Sequence, residues 1–159
     1  MNLKTTLKTV IAVSALSFAS LSLAAGVEVN ADSNDLAIKG YDPVAYFVDN
    51  NAVQGNAQYS AAYNDAIYYF SSAEHRDLFK QSPAKYAPQF GGYCAFGVTK
   101  QQKFDVDPEA FKIVEGKLYL NLNKNVQKRW IKDIPGNVSE GNEIWQEIAH
   151  SSAEYLSDQ

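Results

Sequence analysis

The side chains best suited to chemistry in this sequence are one imidazole, His75, and the single thiol, Cys94. Thiolate and neutral imidazole together form a donor pair that suits copper(I) or zinc. Two donors leave such a site incomplete, so a further ligand has to come from a tyrosine, from Asp42 or from a second molecule. Each residue also has a plainer interpretation, His75 as a partly buried histidine and Cys94 as a small buried apolar side chain. The sequence leaves both interpretations open.

Tyrosines are abundant, with ten in 159 residues, and several lie close in sequence to other polar candidates. Their hydroxyl groups could line a pocket and orient a ligand. The alternative is that they form the core with one hydrated end, as buried tyrosines commonly do. The candidates for such a pocket are Tyr41, Asp42, Tyr46, Tyr69 and Tyr93.

Catalysis has little support in the sequence. There is no nucleophile-elbow motif, no His-x-x-x-His pair and no phosphate-binding glycine loop. The acidic residues are scattered and form no obvious acid–base pair. We therefore expect a non-catalytic protein. The redox alternative is a thiol protein using Cys94, which requires an exposed sulfur of lowered pKa and a partner thiol.

The sequence predicts two β-hairpins that help to position these side chains. Residues 57–70 contain two strand-like segments around the turn-forming pair Asn64-Asp65. Residues 111–120 repeat this arrangement around Glu115-Gly116. Two-residue turns of this composition between β-rich segments are typical of hairpins.

Helices are predicted between and after the hairpins. Asp42-Pro43 has the composition of a helix start, and Ser71 stands at capping-box distance from a glutamate at the start of a helix over residues 71–81. Residues 123–132 form a further helix, and residues 139–156 an amphipathic C-terminal one. The mixture predicts an α+β fold of small antiparallel hairpins packed with short helices.

The N-terminus has the composition of a cleavable export signal. Lys4 and Lys8 precede an apolar and small-residue segment, and Ser22-Leu23-Ala24 offers a cleavage site. The segment is short of the roughly 20 strongly apolar residues of a spanning helix. Residues 1–25 are therefore predicted to be a signal peptide, the mature protein to be periplasmic or secreted, and no membrane anchor to remain after cleavage.

The remainder is the size of one domain. We expect a loose leader at residues 26–37, the domain at 38–132 and a helical extension at 133–159. Of the 14 basic residues two belong to the signal, which leaves 12 against 18 acidic ones. This acidic balance without a basic stripe argues against nucleic-acid binding.

Several motifs in this order and spacing resemble the YHS domain, in its exported single-domain form. The resemblance covers roughly residues 38–132, and it implies a metal-binding function, with copper the metal most often suspected. The motifs are Asp42-Pro43-Val44-Ala45, the segment Tyr69 to His75, Phe79, Pro83-x-x-Tyr86, Gly91-Gly92-Tyr93-Cys94-Ala95 and Gly116 to Asn121.

The sequence departs from the metal-binding form of that family at three positions. Where the resemblance implies cysteines, this chain has Ala45, Ser71 and His75. One possible ligand is thus changed in chemistry and two are absent.

The sequence thus predicts an exported binding module that holds a transition-metal ion, copper or zinc, for metal handling or sensing. The predicted ligands are His75 and Cys94. The main alternative is a structural or protein-partner-binding module with a degenerate metal site, and the further alternative is the thiol redox protein.

Overall fold

The described part of the chain contains two antiparallel hairpins and seven α-helices, which confirms the α+β prediction. The computed structural model describes residues 27–159, so the predicted signal peptide lies outside the described residues. The strands are β1 (Asn56–Tyr63), β2 (Ala66–Phe70), β3 (Asp107–Val114) and β4 (Lys117–Asn121). The helices are α1 (Ala45–Val48), α2 (Ala73–Gln81), α3 (Pro83–Tyr86), α4 (Ala95–Val98), α5 (Lys124–Trp130), α6 (Ile134–Ile148) and α7 (Ala153–Ser157).

The first hairpin forms where the sequence predicts it. Asn64 and Asp65 both have positive φ, which is the geometry of a two-residue turn whose twist matches the strands. The register pairs Tyr63 with Ala66 and continues to Ser60 and Tyr69, and it is interrupted between Ser60 and Asn56. Alternate residues of β2 are buried, so this strand turns one face to the core and ends directly before α2.

The second hairpin turns at Glu115-Gly116, also with positive φ at both residues. Its register pairs Val114 with Lys117 and is interrupted between Asp107 and Phe111. Strand β4 is buried over most of its length and passes between the two apolar clusters of the protein.

Two helix boundaries differ from the prediction. The N-cap of α2 is Ser72, whose hydroxyl accepts from the His75 backbone N–H at 3.1 Å, and Ser71 is used elsewhere. Helix α6 begins at Ile134, five residues before the predicted start, because Pro135 fits a first helical turn and the Asp133 side chain caps the helix. The predicted C-terminal helix is also two helices, α6 and α7.

The core consists of two apolar clusters. One lies between the first hairpin and α2, and the other joins β4 and α4 to the C-terminal helices. Phe96 packs against both of them. The buried aromatic residues of the two clusters are Tyr46, Tyr68, Phe70, Phe79 and Tyr86 in the first and Phe90, Tyr119 and Trp130 in the second.

The predicted loose leader is anchored to the domain at two points of its described part. Val29 and Ala37 are buried, and the Asn30 backbone N–H donates to the Gly91 carbonyl at 2.8 Å. Ala31 and Ala37 also form an isolated bridge. Val29 and Ala37 therefore hold the segment against the domain, while residues 32–35 between them are exposed. Composition did not indicate these contacts because small and polar residues occur in packed segments as well as in loose ones.

Candidate functional site

The candidate site is built around Asp42, whose side chain is fully buried. Its Oδ1 accepts from the backbone N–H groups of Val44 at 2.8 Å and Ala45 at 3.3 Å. These bonds satisfy donors at the start of α1 that have no partner within the helix. Asp42 thus accepts backbone N–H groups as predicted, but it is not the N-cap itself, because α1 begins at Ala45 and its N-cap is Val44.

The other carboxylate oxygen of Asp42 joins the start of α1 to the junction between β2 and α2. Oδ2 accepts from the Ser71 backbone N–H at 2.8 Å, from the Ser71 hydroxyl at 2.7 Å and from His75 Nδ1 at 2.7 Å. With the two bonds to Oδ1, the carboxylate has five donors around it. A buried carboxylate is tolerated when its lone pairs are satisfied in this way.

His75 is held in one orientation by this carboxylate. Helix α2 starts at the end of β2, which brings the ring over Asp42, 33 positions earlier in the chain. Because an ionised Asp42 carboxylate can only accept, Nδ1 carries the proton of this contact, and in the neutral form of the ring the lone pair is on Nε2. Nε2 has no hydrogen-bond partner among residues 27–159, and the side chain is 12% exposed. This nitrogen can therefore bind a metal ion or accept a proton from outside.

Ser71 does not act as a nucleophile in this arrangement. Its hydroxyl donates to Asp42, and it lies 3.2 Å from His75 Nδ1, which is the protonated ring nitrogen. An activated serine instead needs the unprotonated nitrogen of the histidine as its base. The cluster of Asp42, Ser71 and His75 resembles a catalytic triad in composition only.

Cys94 has different surroundings from His75. The residue precedes α4 and is 1% exposed, and its sulfur accepts from the backbone N–H groups of Leu122 at 3.2 Å and Gly97 at 3.4 Å. Burial raises the pKa of the Cys94 thiol, and these N–H groups act more weakly in the opposite direction. Within residues 27–159, Cys94 and His75 share no hydrogen-bond partner.

No group of three or more His, Cys, Asp or Glu side chains in the described part of the chain is arranged to hold a metal ion. Asp42 uses both of its oxygens on hydrogen-bond donors, which leaves it as a partner of the histidine. His75 is thus the predicted ligand with a free donor atom.

The four tyrosines predicted to line a pocket have different contacts and different degrees of burial. Tyr46 is buried, donates its hydroxyl to the Pro108 carbonyl at 3.0 Å and packs on Phe111, and burial raises its pKa. Tyr93 is also buried and donates to the Val29 carbonyl at 3.4 Å. Tyr41 and Tyr69 are half-buried. Among the five pocket candidates, Asp42 is the one that bonds to His75.

Sequence reasoning missed the role of Ser71, which was expected to cap α2. One feature of the sequence could have indicated this role. Ser71 follows a predicted strand and stands four residues before His75, so its hydroxyl can lie close to the His75 ring and bond to the same partner. No local sequence pattern indicated the pairing of Asp42 with His75, because the first hairpin lies between the two residues and its fold determines whether they meet.

No protein-family model matches the chain, and no curated protein or solved structure matches it. Among the helices of residues 27–159, none combines the length and the apolar character that crossing a membrane requires. The fold and the site together define an α+β protein with a buried carboxylate–histidine pair.

Proposed function

We propose that this chain is an exported, non-catalytic binding module that offers His75 Nε2 as a ligand to a transition-metal ion, copper or zinc. The ion is cargo that the protein handles or senses. The observation that carries the proposal is the 2.7 Å bond between His75 Nδ1 and the fully buried Asp42 carboxylate.

A carboxylate on Nδ1 is the usual second partner of a metal-binding histidine. It fixes the tautomer, holds the ring in one orientation and makes Nε2 a better electron donor. In this chain the carboxylate is itself held by α1 and by Ser71, so the ring has little freedom to turn. A rigid imidazole of this kind binds an ion with less loss of side-chain entropy than a free surface histidine.

A site with a single protein ligand is better suited to passing a metal ion on than to storing it, because it holds the ion weakly. A closed zinc site has four protein ligands, whereas His75 alone supplies one. The remaining ligands then come from water, from a second copy or from the protein that delivers the ion. The likeness to the YHS domain and the export signal of the sequence agree with metal handling outside the cytoplasm, in the periplasm or after secretion.

Cys94 is left out of this proposal as a ligand and as a redox centre. Its sulfur is buried and already accepts backbone N–H groups, and a reactive thiol needs exposure and a lowered pKa.

The second candidate is a structural or partner-binding module in which the old metal site serves packing. The observation that favours it is the number of bonds to Asp42, which tie the start of α1 to the junction of β2 and α2. In that case His75 would be one more bonded side chain with no ligand of its own.

Titration of the mature protein with zinc(II) and copper(I), followed by intact-protein mass spectrometry under native conditions, separates the two candidates. His150 provides a matched control, since its Nδ1 also contacts a carboxylate, Glu28, at 2.7 Å but on the surface. We expect His75→Gln to lose the bound ion and His150→Gln to keep it. Absence of binding in the wild type, or equal binding in both variants, would contradict the metal proposal and favour the second candidate.

A further inference from the structure

A cavity separate from the His75 cluster opens beside Cys94 and has a volume of about 290 Å³. Its size is at the low end of the range for small-ligand pockets. The residues lining it are Cys94, Phe96, Gly97, Lys100, Phe104, Leu122, Val126 and Arg129. We propose that this cavity binds a small amphipathic carboxylate, a short aliphatic chain that carries one anionic group.

The walls of the cavity are apolar and partly open to solvent. Phe104 is 44% exposed and Leu122 is 40% exposed, which is unusual for two large apolar side chains lining one cavity. Gly97 allows Phe104 to close one wall, because a Cβ at Gly97 would lie 2.8 Å from the Phe104 ring. An aliphatic chain in this cavity would cover apolar surface that is now hydrated.

Two of the residues that line the cavity, Lys100 and Arg129, are basic. The Arg129 guanidinium lies 5.0 Å and the Lys100 ammonium 5.5 Å from the centre of the Phe96 ring. Within residues 27–159 Arg129 has no carboxylate partner, and the nearest one for Lys100 is Glu140 at 3.9 Å.

The charged residues that line the cavity are opposite in sign to the net charge of the protein. The chain has a net charge of −4, yet its cavity is lined by two basic residues and no acidic one. An apolar chain inside and a carboxylate between Lys100 and Arg129 would therefore satisfy both parts of the site. A cationic amphiphile would meet repulsion at the same place.

The inner end of the cavity provides a local readout. The backbone N–H groups of Gly97 and Leu122 donate to Cys94 Sγ, and all three residues line the cavity. A ligand that enters must change the environment of these two amides. Their NMR resonances therefore provide a readout close to the cavity.

The test is a titration of the ¹⁵N-labelled mature protein with octanoate, below its micelle concentration. We expect saturable shifts of the Gly97 and Leu122 amides. The double variant Lys100→Gln/Arg129→Gln should weaken binding by about tenfold, as expected for the loss of two partly exposed charge contacts. Lys128→Gln removes a charge from the same helix outside the cavity and should leave binding unchanged.

Two further ligands of the same chain length and an anionic vesicle test the role of the carboxylate. Octanol should bind more weakly than octanoate, and octyltrimethylammonium should bind least. Absence of saturable shifts at Gly97 and Leu122, or equal binding of octanol and octanoate, would overturn the proposal. Adsorption to anionic phosphatidylglycerol vesicles without octanoate binding would also overturn it and would assign the patch to a membrane surface.

Discussion

At the scale of single residues, Asp42 determines the geometry of the candidate site. Removing a carboxylate from water is costly, and its five hydrogen bonds offset that cost only while every donor is present. The same bonds orient His75, so folding and the proposed binding depend on one side chain. This dependence makes Asp42 the most sensitive position of the site.

Asp42→Ala should strongly destabilise the protein. The substitution leaves the Ser71 and His75 donors and two backbone N–H groups unpaired, and the expected loss in free energy of unfolding is about 3 kcal/mol. Urea unfolding measures it. Asp49→Ala, at an exposed carboxylate just after α1, is the control and should change stability by less than about 0.5 kcal/mol. Similar losses in both variants would contradict the role assigned to Asp42.

The residue types of the site could be predicted from the sequence, but their partnerships could not. Asp42 and His75 both stood out by chemistry and by position at helix starts. Their contact spans 33 positions and depends on the return of the chain through the first hairpin, which local patterns do not encode. The pairing of His75 with Cys94 stays a prediction, and the neighbours of the two side chains differ.

At the scale of elements, local chemistry predicted the hairpins better than the helix boundaries. Two-residue turns with positive φ admit few sequences, so Asn64-Asp65 and Glu115-Gly116 were strong signals. Helix starts are less specific, because Ser71 and Ser72 could each cap α2. The choice between them depends on Asp42, which binds the Ser71 hydroxyl and leaves Ser72 to cap.

The packed leader depends on Gly91, and a pair of glycine substitutions tests it. Gly91 and Gly116 both have positive φ, at +60° and +72°, but a Cβ at Gly91 would lie 1.8 Å from the Glu28 carbonyl oxygen and one at Gly116 meets nothing within 4 Å. Gly116→Ala should cost about 1 kcal/mol from backbone strain alone. Gly91→Ala should cost at least about 2 kcal/mol more, because the leader must move away. Equal costs in thermal unfolding would mean that the leader does not pack there.

At the scale of the whole molecule, Lys103 joins the leader to the C-terminal helices. Its buried ammonium donates to the Val27 carbonyl and, at 2.7 Å each, to the carbonyls of Ala149 and Ser151. It also lies about 5 Å from the ring of Trp145. These contacts hold the leader beside the end of α6, next to Trp145, which packs against the second apolar cluster. Nothing in the local sequence around Lys103 indicates them.

Lys103 should make stability depend on pH in the alkaline range. Burial lowers the pKa of its ammonium to about 8 from the ordinary 10.5, with the Glu28 carboxylate acting in the opposite direction. Between these values the folded protein binds fewer protons than the unfolded chain, so its free energy of unfolding rises with pH. Urea unfolding should show the difference between wild type and Lys103→Met increasing from about pH 7.5 to about pH 9.5.

Lys132→Met, at an exposed lysine, is the control for that series and should show no such increase. Wild type and Lys103→Met contain the same tyrosines, so the effect of tyrosine ionisation on stability cancels in the difference between them. A difference between wild type and Lys103→Met that is constant or falls over this range would contradict the buried position of the ammonium.

The central claim is that Asp42 holds the proton of His75 on Nδ1 and leaves Nε2 to bind a metal ion. Long-range ¹H–¹⁵N NMR correlations of the two imidazole rings, recorded without and with zinc(II), test it most directly. We expect a protonated Nδ1 in both states and a shift of the Nε2 resonance of His75 when zinc is added. A proton on Nε2 in the free protein, or a shift confined to His150, would contradict it.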